Sequence, residues 1–188
     1  MSQEISQVKS SLSTFVDQAL KQTPEGYFSS EFDPDWRSAC EVKQEAQQTL
    51  WKPCENLNPL DFSGMSNAAE AAIHPDIQAY YGAFWSGNLQ AKSVEGPVTL
   101  IQLWNSEDFD RLIENLVGHL FSQIRAKQSF TVFFANTDLD SELFLSIDNA
   151  SGMILLEEPG KAPIKVVESN LATFLDRLEP DLTEPKIY

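Results

Sequence analysis

The groups that could carry chemistry in this sequence are two histidines, two cysteines and an excess of carboxylates. His74 and His119 stand far apart, and Cys40 and Cys54 form no C-x-x-C, so the four match no zinc pattern. The cysteines read as reduced thiols. Asp138-Leu139-Asp140-Ser141-Glu142 resembles the start of a calcium loop, but Leu143 stands where the sharp-turn glycine is needed and Asn149 where the bidentate glutamate belongs. His74-Pro75-Asp76 spells the J-domain tripeptide without the preceding basic helix, and reads as a proline-started helix. There is no G-x-S-x-G and no glycine-rich phosphate loop. What remains is recognition chemistry. Trp36, Trp51, Trp85 and Trp104 lie mostly at element ends beside acidic or polar residues, an arrangement suited to Arg-rich or Lys-rich segments through cation–π contact and charge pairing.

Charge points the same way. Lys and Arg number 13 against 28 Asp and Glu, so the chain carries 13 − 28 = −15 at neutral pH. A phosphate backbone is repelled by such a field, which excludes nucleic acid as the expected partner, whereas a basic protein surface is attracted. The first residues lack a basic start followed by an apolar run, and no window approaches 18 uninterrupted apolar residues. A cytoplasmic, soluble protein is expected. Its 188 residues suit one core, so the whole of 1–188 is read as a single domain, monomeric and with a loose tail from about residue 181.

The elements that must position these groups centre on Pro97–Phe134, which reads strand, helix, strand. Phe109, Leu112, Ile113, Leu116, Val117, Leu120, Phe121 and Ile124 recur at steps of three and four, the spacing of one helical face. Asn105 is its expected N-cap, with Glu107, Asp108 and Asp110 against the positive end of the dipole. Val98–Trp104 and Phe130–Phe134 have strand composition. Upstream, Ile5, Val8, Leu12, Phe15, Val16, Ala19 and Leu20 predict a first helix over 4–22, stopped by Thr23-Pro24-Glu25-Gly26. Residues 27–59 predict irregular backbone with one short strand around Trp51. Residues 67–73 suggest a short helix, and Pro75 starts another through Ile77, Tyr80, Tyr81 and Phe84. Leu89–Glu95 turns at Gly96-Pro97 into an antiparallel partner. Beyond the centre, Leu143–Ile147 and Met153–Leu156 form a hairpin across Asp148–Gly152, Ile164–Val167 adds an edge strand, and Ser169 caps a last helix carrying Leu171, Phe174, Leu175 and Leu178, ended by Pro180. This order predicts an α+β domain, a mostly antiparallel sheet with helices packed on it.

Within the central helix, Glu114-Asn115-Leu116-Val117-Gly118-His119-Leu120, preceded by Trp104 and the acidic cap, resembles the Syd family. The resemblance runs upstream through Ile73-His74-Pro75-Asp76-Ile77, Tyr80-Tyr81 and Phe84, and downstream through Ser169-Asn170-Leu171-Ala172 and Phe174-Leu175. It covers roughly residues 70 to 180, with Trp51 and Pro53 matching further upstream. The resemblance implies a sheet with packed helices related to the SUKH fold, no catalysis and no cofactor. It also implies binding to the cytoplasmic loops of the translocon subunit SecY, as a regulator or quality check, with only peripheral, receptor-mediated attachment to the inner membrane. Those loops carry excess Lys and Arg, while anionic lipid repels a chain of this charge. The expected contacts are an acidic concave patch of Glu70, Glu107 and Asp108, the anchors Trp85 and Trp104, and Asp76 and Glu114 as further carboxylates. A SUKH-type immunity or decoy protein masking a basic toxin, and a carboxylate-dependent enzyme, are the alternatives.

Overall fold

Burial of the first helix, the central helix and the strands between them organises the computed structural model, which describes residues 2–138 and 141–182, with side chains from Gln7 onward. The side chain of Ile5, the loop residues Leu139 and Asp140, and the expected tail from 183 to 188 lie outside these. Helix α1 (Ser2–Gln22) buries Val8, Leu12, Phe15, Val16 and Ala19 along one stripe, and ends in a 3-10 turn, Pro24–Gly26, where the sequence places its stop. Helices α2 (Ser63–Ala69) and α3 (Pro75–Tyr81) follow. α2 sits earlier than the alanine-rich 67–73 suggests, because Glu70 adopts a left-handed φ of 50° and its N–H closes the helix on Asn67 and Ser66 carbonyls. α3 stops at Tyr81 and not at Phe84, since Phe84 and Trp85 pair with Cys54 and Glu55 as a two-stranded ribbon.

The region 27–59 departs most from expectation. It contains β1 (Phe28–Glu31), β2 (Glu41–Glu45), β3 (Gln48–Trp51) and β4 (Cys54–Glu55), the first three forming an antiparallel sheet in the order β1-β3-β2. β5 is Phe84–Trp85. The remaining strands are β6 (Leu89–Ser93), β7 (Gly96–Leu100), β8 (Thr131–Asn136), β9 (Phe144–Asp148), β10 (Ile154–Glu157), β11 (Lys165–Glu168) and β12 (Glu179–Pro180). They make one antiparallel seven-stranded sheet, ordered β11-β10-β9-β8-β7-β6-β12. Pro180 is thus part of an edge strand and does not end the last helix, which stops earlier, at Asp176. Helix α5 (Leu171–Asp176) is capped by Asn170, whose Oδ1 accepts from Thr173 N at 2.9 Å, one residue later than expected.

The sheet is curled. Chain 165–180 runs from the β11 edge through α5 to the β12 edge, and Arg177 spans the gap, pairing with Glu95 at the β6–β7 turn (2.7 Å) and Glu168 at the end of β11 (3.4 Å). That guanidinium holds the Glu95 carboxyl below its usual range. Helix α4 (Ser106–Ala126) lies on the sheet face carrying Thr131 and Phe133. Tyr80 and Phe174 pack edge-on against Phe134 from the opposite face, with α1 outside them against α3 and α5. The chain is thus α+β with one continuous core. None of the described helices is long and apolar enough to cross a membrane.

The apolar stripe of α4 is narrower than its spacing suggests. Phe109, Leu112, Leu116 and Leu120 are buried, but Phe121 and Ile124 are 52% and 55% exposed, because the last turns tilt a polar residue inward. Gln123 is that residue. Its Nε2 donates to Thr131 Oγ1 and its Oε1 accepts from Thr131 N at 3.1 Å, so the buried amide is satisfied. His119 sits beside this pair, 3.4 Å from Thr131 Oγ1 and edge-on to Phe133 and Phe144. Burial pushes its pKa below the ordinary value, against a smaller upward pull from Glu157.

Two predictions follow from this packing. Leu116→Ala should lower the unfolding free energy in urea by about 2–5 kcal/mol, and Phe121→Ser, on the exposed flank, by less than about 1 kcal/mol. For His119 the unfolded chain binds the proton more readily. Stability should therefore fall as pH drops below roughly 6.5, the ordinary imidazole value, and His119→Gln should flatten that part of a pH series of unfolding midpoints.

Candidate functional site

Asn105 and the residue before it fix the geometry of the one groove that gathers the acidic and aromatic groups. Asn105 has extended backbone, and its Oδ1 accepts from both Glu107 N and Asp108 N at 3.0 Å, which starts α4. The other end of the same amide donates to Arg37 O at 2.9 Å. Trp104 repeats the pattern. Its N–H donates to Asp108 Oδ2 at 3.0 Å, its indole Nε1 donates to Trp36 O at 2.9 Å, and its carbonyl accepts from Ser38 Oγ. Arg111, one turn further along α4, stacks its guanidinium 4.0 Å from the centre of the Trp36 ring. The segment 33–41 is thereby strapped across the start of the helix.

That strap forms one wall of a groove of about 420 Å³. Three acids, Asp33, Glu41 and Asp108, line it with their side chains, Glu31 borders it from the strand β1, and no Lys, Arg or His side chain is among the lining residues. Its floor is aromatic: Trp51 stacks on Phe28 with centroids 4.6 Å apart and meets Trp104 edge-on at 5.7 Å. Gly87 lies so close that a Cβ there would fall 2.6 Å from Trp51 Cζ2, so only glycine lets the far wall reach the indole. The acids differ in how they are held. Asp33 is exposed and accepts from Asp35 N at 2.9 Å within its turn. Glu41, with a side chain only 8% exposed, accepts from Arg37 and from Ser38 N at 2.8 Å. Burial pushes the Glu41 pKa up, but these bonds outweigh it and leave the carboxyl below its ordinary value. Glu41 stays ionised at neutral pH.

Of the sequence-expected contacts, the structure brings Trp104 and Asp108 together in this groove. Glu107 lies on the same cap but points to solvent, and Glu114 is exposed about two turns further along α4. Glu70 is exposed at the end of α2. Trp85 is half-buried on β5, where it pairs with Cys54 and packs against the core. Asp76 is buried in the first turn of α3, beside His74, whose Nδ1 accepts from Asp76 N at 3.2 Å. That turn is clasped by Asn149, which accepts from His74 N and donates to Ala72 O, both at 2.9 Å. Of the expected patch, Asp108 thus lies in this groove and Glu70 and Glu107 are not among its lining residues, which include Glu31, Asp33 and Glu41. The sequence signal for them was the acidic run Glu31, Asp33, Asp35 beside Trp36, in a region with no clear periodicity.

A curled antiparallel sheet with packed helices and a carboxylate-lined groove, with no metal-holding group of His, Cys, Asp or Glu among the described residues, defines an acidic α+β protein. The family model described as Syd protein (SUKH-2) matches residues 5–180. The chain is 39% identical over 158 residues to "Protein Syd" of Pseudoalteromonas atlantica, covering 82% of this chain and 84% of that one. It is 33% identical over 175 residues to "Protein Syd" of Alteromonas mediterranea, covering 92% and 96%. The "Protein Syd" of Yersinia enterocolitica is 36% identical over 147 residues, covering 78% and 80%. The chain belongs to the Syd family.

The double use of Asn105 can be separated. Asn105→Asp keeps the capping oxygen and removes the donor to Arg37, whereas Asn105→Ala removes both. Asn105→Ala should destabilise by about 0.5–2 kcal/mol in urea unfolding and Asn105→Asp by less, yet both should speed proteolysis at 33–41. Gly87→Ala should displace the Trp51 ring, read as a shift in tryptophan fluorescence.

Proposed function

We propose that this protein is a non-enzymatic SecY-binding protein that engages the basic cytoplasmic loops of the translocon through the groove between β1, the 33–41 strap and the start of α4. The observation that supports this most is the lining itself: the carboxylates of Asp33, Glu41 and Asp108 over an aromatic floor, with no Lys, Arg or His side chain among the lining residues. Lys and Arg side chains gain from such a surface twice, by pairing with the carboxylates and by stacking on indole faces. Arg111 over Trp36 is an internal instance of the second contact. Loops on the cytoplasmic side of membrane proteins supply that chemistry in excess.

The protein then acts from the cytoplasmic side and reaches the inner membrane through its receptor, because a chain of −15 is repelled by anionic lipid. Trp104, Asp108, Asp33 and Glu41 carry the contact, with Glu31 bordering it through its main chain. Glu107 adds long-range field at the rim, and Glu70, Asp76, Trp85 and Glu114 are not among the lining residues. Regulation or quality checking of the translocon follows from occupying loops that other cytoplasmic partners need.

The test is a pull-down from solubilised inner membranes combined with a titration of a synthetic SecY cytoplasmic-loop peptide. SecY is expected as the dominant captured protein, and peptide affinity is expected to fall steeply between 50 and 300 mM salt, conditions over which roughly 14 to 6 Å screening sets in. Asp33→Asn with Asp108→Asn should weaken binding about tenfold or more while the unfolding midpoint moves little. Capture of a soluble basic protein in place of SecY would contradict the proposal.

A further inference from the structure

The small sheet has an open edge on the acidic groove. Among the described residues β1 pairs only with β3, through Phe28↔Trp51, Ser29↔Leu50, Ser30↔Thr49 and Glu31↔Gln48. Phe32 N donates to Gln47 O at 2.8 Å, one step beyond that register, so the alternation of antiparallel bonds turns Phe28, Ser30 and Phe32 toward β3. Ser29 and Glu31 then present their N–H and C=O groups outward. Both line the groove, although their side chains belong to the opposite face from Ser30, Thr49 and Trp51. It is therefore their main chain that borders it.

A second observation at the groove is independent of charge. Trp51 is 5% exposed, lines the groove, and its indole Nε1 has no hydrogen-bond partner. A buried donor without an acceptor costs about 1–3 kcal/mol, and native proteins leave few of them.

We propose that the partner segment binds as an added β-strand, in extended conformation along the outer edge of β1, making the small sheet four-stranded. This rests on the groove being the partner site. The strand edge supplies sequence-independent affinity, and the two faces supply the selection. Side chains at every second position of the bound segment drop into the groove, where basic groups meet Glu41, Asp33 and Asp108, while the intervening positions face away. The segment recognised has Lys or Arg at i and i+2, over about four residues, the length of β1 at roughly 3.3 Å each. Helical or folded basic elements do not fit this edge.

The experiment is fluorescence anisotropy with the synthetic SecY loop peptide and a set of its single N-methyl derivatives, titrated against the wild-type chain. N-methylation removes one backbone donor and leaves every charge in place. Strand addition predicts alternation: methylation at positions of one parity weakens binding about tenfold, and at the other parity leaves it within about twofold. Ser29→Pro, which removes an outward donor from an edge where proline is tolerated, should weaken the parent peptide similarly, and Ser29→Ala should not. If binding is salt-dependent and lost in the Asp33→Asn, Asp108→Asn variant, yet indifferent to methylation at all positions, the added strand is wrong and the acidic-groove function stands. If the parent peptide does not bind wild-type protein at all, the functional proposal fails and this inference with it.

Discussion

A single side-chain amide, that of Asn105, ties the fold to the groove. Its oxygen takes the first free N–H groups of α4 and its nitrogen holds the carbonyl of Arg37. The first contact is the ordinary requirement of a helix start, where backbone donors lack partners within the helix. The second is specific to this molecule, because it fixes a polar loop against a helix end that the core has already positioned. Trp104 reinforces the junction with its indole, amide and carbonyl, each bonded to a different group. Without the long buried stripe of α4 there would be no rigid end to hold, and without the clasp the 33–41 segment would have little apolar surface to order it.

Electrostatics follow from that junction. Carboxylates gathered at a helix N-terminus repel one another less than they would elsewhere, since the helix dipole and the exposed N–H groups offset their charge. Asp108 accepts from Trp104 N, Asp33 from Asp35 N and Glu41 from Arg37 and Ser38 N, so each acid is oriented by its own donor. The groove thus holds oriented carboxylates over indole faces. The buried Trp51 donor without a partner sits on the floor of the same groove.

Much of the fold was legible because period and turn chemistry agreed. The stripe of α1, the Asn105 cap and the Asp148–Gly152 hairpin appear where the sequence places them, while the reversal expected at Gly96-Pro97 falls two residues earlier, at Val94-Glu95, with Gly96 and Pro97 already paired in β7. Failures came where tertiary contacts overrule local pattern. Phe121 and Ile124 continue the helical spacing but face solvent, because the Gln123–Thr131 pair claims the inward position. β2, reading Glu-Val-Lys-Gln-Glu, has no apolar alternation, since its residues are mostly exposed and its strand exists by pairing with β3. The groove inherited that blindness. Trp104 and Asp108 were visible as a helix cap and β3 as a short strand around Trp51, whereas Glu31, Asp33 and Glu41 join them through β1, β2 and the segment between, which the sequence does not announce.

The central claim is that the 33–41 strap and the start of α4 form the partner surface. It is tested most directly by recording backbone and indole NMR resonances of the isotopically labelled protein while the SecY loop peptide is added. The account predicts shifts concentrated at residues 29–41, at Gly87, and at the indole N–H groups of Trp51 and Trp104, with α5 and β11 unmoved. Shifts centred on the exposed Phe121–Ile124 flank of α4 or on the β11 edge, with the groove silent, would contradict it.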